Sequence, residues 1–218
     1  MNIIRLLAVF VTAFLCAATS TQAASSEQVA AVIKKINDIH FIQGEFTQHK
    51  KMQGIAYPLK SQGHFMFWKE HGLHLATDKP FFNAMTITGN GLITWQADGS
   101  GNIAQEQSGI IQREVNKTLL AFFSADIDLI EQRFNVEWVF EKNNWQLSLT
   151  PKLEMIQKSM RVAIIRGNQY MSELRVIAAN GDQTEMFFSA QKESAQPTAS
   201  ECRWFYLDAK HNCSTIPQ

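Results

Sequence analysis

The chain has 218 residues, of which 45% are hydrophobic, and its 20 basic residues balance 20 acidic ones. This length is enough for one domain with a sizeable core. Because there is no basic excess, the composition does not favour nucleic acid or an acidic lipid surface as a partner.

The first residues have the pattern of a secretory signal peptide. Arg5 precedes an apolar run from Leu6 to Ala18, and small and polar residues continue to Ala23. The apolar run is shorter than the roughly 20 residues that a membrane-spanning helix needs. We therefore predict that residues 1–23 are removed on export and that residues 24–218 form one domain.

Two cysteines, Cys202 and Cys213, remain in that domain. In an exported chain, two cysteines so close in sequence favour a disulfide over two free thiols. Such a bond would pin the C-terminal segment and contribute about 3 kcal/mol in the chain-entropy model.

The mature chain begins with a predicted amphipathic helix. Ser25 and Gln28 fit a capping box at its start. Its apolar face consists of Val29, Val32, Ile33, Ile36 and Ile39. Strands are then predicted at 46–48, 63–69, 73–78, 84–89 and 91–97. Their short connections favour an antiparallel arrangement.

Residues 115–134 interrupt the strands with two predicted short helices, the second capped by Asp126. Strands resume at 135–141, 145–150, 159–166, 170–178 and 183–189, with turns at Asn143-Asn144 and Asn180-Gly181. A sheet of about ten strands must curl or close. The predicted fold class is α+β, a curled antiparallel sheet that forms an incomplete, half-open β-barrel covered by helices.

Residues suited to catalysis or metal binding form no clear cluster. The sequence lacks a Gly-x-Ser-x-Gly motif and a glycine-rich nucleotide loop. His64, His71 and His74 are close in sequence, but strand alternation predicts that His71 and His74 point to opposite faces, which suits a metal poorly. We therefore predict no enzyme activity, no metal and no cofactor. An envelope hydrolase that uses a histidine and an aspartate is the least favoured alternative.

Apolar side chains give the stronger signal. Strand alternation predicts a continuous apolar row on one side of residues 63–97. Its members are Phe65, Phe67, Leu73, Leu75, Met85, Ile87, Ile93 and Trp95, and the helices add Phe122 and Phe123. The row is either part of a filled core or the wall of a cavity. The eight methionines of the chain suit a surface that repacks around an apolar guest.

The order of these residues resembles the LolA-like periplasmic lipoprotein carriers, as a divergent branch of that family. The resemblance is carried by Phe46-x-Gln48, Gly63-x-Phe65, Lys69, Leu73, Leu75, Pro80 and ITGNGLITWQADG, and it continues to NGDQTEMFF. It covers nearly all of the mature chain. It implies an incomplete barrel in which helices act as a lid over an apolar cavity, and a function of binding and transfer in which no bond is made or broken.

The resemblance also implies a site and partners. The implied cavity residues are Phe46, Phe65, Phe67, Leu73, Leu75, Met85, Ile87 and Trp95. The cargo would be an acylated lipoprotein or a related lipid, passed by a monomeric carrier from an inner-membrane donor to an outer-membrane acceptor. The alternative is an envelope interaction scaffold whose core is filled.

One position departs from the family pattern, because Lys69-Glu70 stands where the family has Arg-Pro. The family arginine holds the closed lid through backbone carbonyls, and lysine replaces its planar group of five donors with a single ammonium. By strand alternation, Lys69 shares a face with Phe65 and Phe67. We therefore predict that Lys69 is a lid clasp that holds less firmly than arginine.

Overall fold

The computed structural model describes residues 25–89, 91–103, 110–208, 213 and 216, without the side chains of residues 110–116. The predicted signal peptide, residues 1–23, lies outside the described residues. None of the helices in the described part of the chain combines the length and hydropathy needed to cross a membrane.

The helices are short and most begin at a side-chain cap. They are α1 (Ser26–Asn37), α2 (Ile110–Ser124), α3 (Ile127–Arg133), α4 (Glu154–Gln157) and α5 (Ala199–Cys202), followed by a 3-10 turn at Arg203–Phe205. The predicted capping box at Ser25 is present, since its side chain accepts from the backbone N–H of Gln28. Asp126 caps α3 by accepting from the N–H of Leu129 at 3.0 Å, as predicted.

In the described part of the chain, eleven strands form one antiparallel sheet. They are β1 (Phe41–Lys51), β2 (Leu59–Trp68), β3 (Gly72–Lys79), β4 (Asn83–Thr88), β5 (Gly91–Trp95), β6 (Gly101–Ile103), β7 (Phe134–Glu141), β8 (Asn144–Pro151), β9 (Met160–Gly167), β10 (Met171–Ala178) and β11 (Gln183–Ser194). The strand order is β6-β5-β4-β3-β2-β1-β11-β10-β9-β8-β7. Because β6 and β7 are its two edges, the sheet is an open barrel, which confirms the predicted fold class.

The sheet must curl to make its core. Laid flat, eleven strands would extend about 48 Å across, at about 4.8 Å per neighbour. Nevertheless, one buried cluster joins residues of β1 to β4, such as Phe65, with residues of β8 to β11, such as Trp145. Ala121 and Phe122 of α2 and Ile130 of α3 belong to the same cluster. The concave face is thus filled by the helices, and we call α1, α2 and α3 the lid.

The strand register defines two ends of the barrel. The loop end holds the connections 52–58, 80–82, 96–100 and 179–182 together with α4. The opposite end, which we call the clasp end, holds the end of α1 and the turns 69–71 and 142–143. The predicted turn at Asn180-Gly181 lies at the loop end, where Gly181 adopts φ +89°.

Two predicted boundaries differ from the structure. The β7–β8 turn consists of Lys142 and Asn143, whereas Asn144 already pairs with Glu141. Lys142, rather than an asparagine, takes the left-handed conformation in this turn, with φ 55°. The first strand is also much longer than residues 46–48, because hydrogen bonding to β2 and β11 extends it over polar residues that lack a clear pattern.

Candidate functional site

The concave face is lined by aromatic rings that belong to the sheet and the lid. Phe65 of β2 packs edge-to-face on Phe188 of β11, with ring centroids 5.2 Å apart. Phe123 of α2 lies between these strands and the solvent, 6.0 Å from both rings and 5.8 Å from Phe67. Such aromatic pairs add about 0.5–1.5 kcal/mol each beyond the area that they bury. The lid is therefore held to the sheet largely by apolar contact.

The volume left under the lid is small. One cavity of about 30 Å³ is lined by Ile36, Ile39, Phe67, Phe123 and neighbouring residues, and another of about 20 Å³ lies beside Trp138. By the same measure, a cavity needs about 10–15 Å³ to hold one water. The lid and the sheet therefore leave little free volume at these two places.

Lys69 lies where the lid meets the sheet. Its ammonium donates to the backbone carbonyl of Asn37, the last residue of α1, with Nζ and O 2.6 Å apart. Its backbone N–H donates to the carbonyl of His40 at 2.8 Å. A helix C-terminus carries unpaired carbonyls and a partial negative charge, so a cation there is favoured. Lys69 thus ties the end of α1 to the end of β2.

The structure brings most of the predicted cavity residues together. The buried cluster on the concave face contains Phe46, Phe65, Phe67, Leu73 and Ile87, and Leu75 packs against it. Met85 is half-buried and pairs with Leu75, which places it on the same face. Their contact with a guest stays a prediction.

Trp95 does not share this face. In the β4–β5 pairing, Leu92 is opposite Ile87, so Leu92 points to the concave side and Ile93 and Trp95 point outward. Trp95 packs instead with Ala76, Ala84 and Trp204 on the convex side. The predicted row therefore ends at β4, because the register of β5 moves its larger side chains to the other face.

The C-terminal segment covers the convex face of β2 to β5. Cys202 and Cys213 form the predicted disulfide, and between them Phe205 packs with Phe41 and Met66. An open groove of about 490 Å³ lies where this segment meets the β4–β5 hairpin. Both faces of this half of the sheet are thus covered by apolar side chains.

Thr86 joins the C-terminal segment to the sheet through a buried hydroxyl. It donates to the carbonyl of Trp204, with O and O 2.5 Å apart, and accepts from the indole N–H of Trp95 at 2.8 Å. His74 Nδ1 lies 2.9 Å from the same hydroxyl. Because the hydroxyl proton is already used, His74 must be the donor, with its proton on Nδ1.

Burial, and to a smaller extent the charge of nearby His64, lower the pKa of His74 to about 3. Its Nε2 is buried and has no hydrogen-bond partner among the described residues. A proton there would be a buried charge without a partner, so the ring is neutral at ordinary pH. His74 is a structural side chain that stacks on Trp204.

His71 and His74 do not point to opposite faces, contrary to the sequence prediction. His71 hydrogen-bonds Tyr206 and stacks on Trp68, so both histidines contact the C-terminal segment. The prediction failed because His71 lies in the turn before β3, where strand alternation does not apply. Among the described residues, no three His, Cys, Asp or Glu side chains are grouped to hold a metal ion.

The second half of the sheet supplies concave residues that the sequence analysis did not assign to the site. They include Phe134, Trp145, Leu147, Ile165, Leu174 and Phe188. The alternation of Trp145, Leu147 and Leu149 was visible in the sequence, but nothing local shows that these strands face the same lid. Only the pairing of β1 with β11 brings the two halves around one interior.

Comparison with known proteins agrees with this architecture. The family model "Outer membrane lipoprotein carrier protein LolA" matches residues 37–203. No curated protein matches the chain. The chain is similar in structure to a LolA superfamily protein from Nitrosomonas europaea, with 11% identity, TM-score 0.40, and 77% of this chain and 94% of that chain covered.

Two further solved structures are similar at the same level. A DUF1329 family protein from Desulfovibrio piger has 9% identity and TM-score 0.41, with 79% of this chain and 93% of that chain covered. A chain of the Pseudomonas aeruginosa MucA/MucB complex has 10% identity and TM-score 0.46, with 79% of this chain and 58% of that chain covered. The family match over residues 37–203 is the finding that decides: this chain belongs to the LolA family of outer membrane lipoprotein carrier proteins.

Proposed function

We propose that this protein is a periplasmic carrier that shields the acyl chains of a lipoprotein or a related lipid between its concave face and its lid. The observation that carries the proposal is the apolar cluster on the concave face, which is covered by helices rather than by a second sheet. Membership of the LolA family supports the same function. The partners would be an inner-membrane donor and an outer-membrane acceptor.

A guest can replace contacts that the lid makes with the concave face. Phe123 is only half-buried, and its partners Phe65, Phe67 and Phe188 are all apolar. Acyl methylenes offer these rings a similar environment, and each buried methylene gains about 0.8 kcal/mol. About ten methylenes would thus offset the loss of several aromatic contacts of the lid. Binding then selects an open form, with no bond made or broken.

The test is binding of a fluorescent acyl probe to the purified mature protein, followed by displacement with a synthetic acylated lipopeptide. We expect saturable binding and full displacement. Phe123→Ala should speed probe uptake about tenfold, because it removes lid contacts worth roughly 1–2 kcal/mol. Phe187→Ala is the matched control, since Phe187 lies beside Phe188 but on the outer face of β11. No probe binding, or equal effects of the two variants, would contradict the proposal.

The small cavities favour one alternative, an envelope scaffold that binds a partner through its surface. In that case the interior is a permanent core. Phe123→Ala would then lower stability without admitting the probe. The same titration therefore separates the two functions.

A further inference from the structure

The exposed apolar side chains of this protein are concentrated in two loops. Nine large hydrophobic residues are exposed in the described part of the chain, and five of them lie between residues 55 and 59 or at 81 and 82. Tyr57 and Phe81 are each 82% exposed. Leu59, Ile55 and Phe82 are 53%, 42% and 40% exposed. A protein that only needed a core would not place so much apolar surface in water at one place.

The strand register brings these two loops together. Residues 52–58 connect β1 to β2, and residues 80–82 connect β3 to β4, so both lie at the loop end. Since Gln62 pairs with Lys79, the three residues before Gln62 extend past the end of β3, alongside residues 80–82. Every described residue from 53 to 60 and from 78 to 83 is exposed. We call these two segments the aromatic loops.

Lysines surround the aromatic loops, although the whole chain is balanced in charge. They are Lys50, Lys51, Lys60 and Lys79, and none forms a salt bridge with a described residue, although the charge of Lys50 acts on the Asp182 carboxylate. Two carboxylates lie among them. Asp78 contacts His64 Nδ1 at 3.2 Å, and Asp182 accepts from the N–H of Gln53 at 3.0 Å. Four lysines against two carboxylates leave a small excess of positive charge beside the aromatic loops.

We propose that the aromatic loops dock the protein on the surface of a phospholipid bilayer. Tyrosine and phenylalanine at protruding tips, with lysines set behind them, match the two layers of a bilayer surface. The rings enter the boundary between headgroups and acyl chains, and the ammonium groups face the phosphates. Each lysine near an anionic surface adds attraction that salt weakens. A protein partner is less suited, because hot spots at protein interfaces are usually well-packed pockets rather than separate projecting loops.

This surface is separate from the proposed acyl-binding site. The lid clasp between Lys69 and Asn37 lies at the clasp end, and the aromatic loops contain none of the residues of the concave cluster. Membrane docking therefore does not depend on whether the interior holds a guest. Phe123→Ala should alter probe uptake and leave docking unchanged.

Co-sedimentation of the purified mature protein with vesicles tests the proposal. The vesicles contain phosphatidylcholine alone or with one quarter phosphatidylglycerol, at 50 mM and 500 mM salt. We expect binding to both, stronger with the anionic lipid, and weakened several-fold by high salt. Phe81→Ser and Tyr57→Ser should each lower affinity about tenfold. Phe187→Ser, which removes an exposed ring elsewhere on the sheet, should have no effect.

Charge is tested in the same assay. The double variant Lys60→Gln and Lys79→Gln should lose the preference for the anionic lipid. Lys142→Gln with Lys192→Gln, which removes two exposed charges away from the loop end, should keep it. If the wild-type protein sediments with neither kind of vesicle, the proposal is overturned, and a protein partner becomes the better explanation for the aromatic loops. Equal losses in Phe81→Ser and Phe187→Ser would overturn it as well.

Discussion

The two covers of the sheet differ in how they are attached. On the convex face, the C-terminal segment is closed into a loop by the Cys202–Cys213 disulfide and is bonded to the sheet through the buried hydroxyl of Thr86. On the concave face, the lid rests on apolar side chains, with Lys69 tying the end of α1. Covalent and buried polar contacts specify one arrangement, whereas apolar contacts can be replaced by a guest of similar chemistry. The comparison predicts a permanent convex cover and an exchangeable concave one.

The largest expected effect is on the convex side, at Thr86. Thr86→Val keeps the volume but leaves Trp95 N–H, His74 Nδ1–H and the Trp204 carbonyl without their partner. Each unpaired buried group costs about 1–3 kcal/mol, so we expect a loss of about 3–5 kcal/mol in the free energy of unfolding by urea. Thr47→Val, an exposed change on β1, is the control and should be nearly neutral. A similar loss of unfolding free energy in Thr86→Val and Thr47→Val would show that the buried hydroxyl of Thr86 does not cause the effect.

Breaking the disulfide should cost slightly less. Cys202→Ser with Cys213→Ser removes a bond across 11 residues, and we expect about 3 kcal/mol lower stability in the chain-entropy model. If the two covers are independent, uptake of the acyl probe should not change. Faster uptake in this variant would mean that the convex cover also controls the lid.

Acid should weaken the convex side through His74. Its pKa is near 3 in the folded protein and about 6.5 when exposed. The unfolded chain therefore binds a proton that the folded protein does not, and this part of the stability is lost as the pH falls from about 6.5 toward 3. We expect a slope of up to about 1.4 kcal/mol per pH unit. His74→Asn keeps a donor for Thr86 and should flatten the slope in urea titrations; an unchanged slope would exclude His74 as its source.

The smallest expected effect is on the concave side, at Lys69. Lys69→Met keeps the apolar stem and removes the hydrogen bond to the Asn37 carbonyl, so we expect about tenfold faster exchange of the acyl probe and a loss of about 1–2 kcal/mol in stability. Lys69→Arg should slow exchange, because its several donors can hold more than one carbonyl. Stopped-flow fluorescence measures both. If the wild type, Lys69→Met and Lys69→Arg exchange the probe at the same rate, Lys69 does not hold the lid closed.

Much of this architecture could be predicted from local patterns. The capping box at Ser25, the cap at Asp126 and the turn at Asn180-Gly181 depend on neighbouring residues, and all three are present. Alternation within β2 and β3 placed Phe65, Phe67 and Leu73 on one face for the same reason. The same alternation predicted that Lys69 shares this face, and Lys69 lies beside the lid.

Most of what the sequence analysis missed depended on contacts between distant residues. The face of Trp95 is set by the register of β5 on β4, and that of His71 by the turn before β3. Nothing in the sequence around Gly63 explains why this motif position is a glycine. In the structure, any Cβ there would overlap the backbone carbonyl of Ala76 on the neighbouring strand. The joining of the two halves by β1 and β11 was likewise invisible in either segment alone.

The most direct test of the proposed carrier is mass spectrometry of the lipids extracted from the protein purified out of its native envelope. We expect acylated lipid in an amount approaching one molecule per protein, above the amount on an exported control protein of similar size handled in parallel. Protein that carries no more acylated lipid than the control would contradict it.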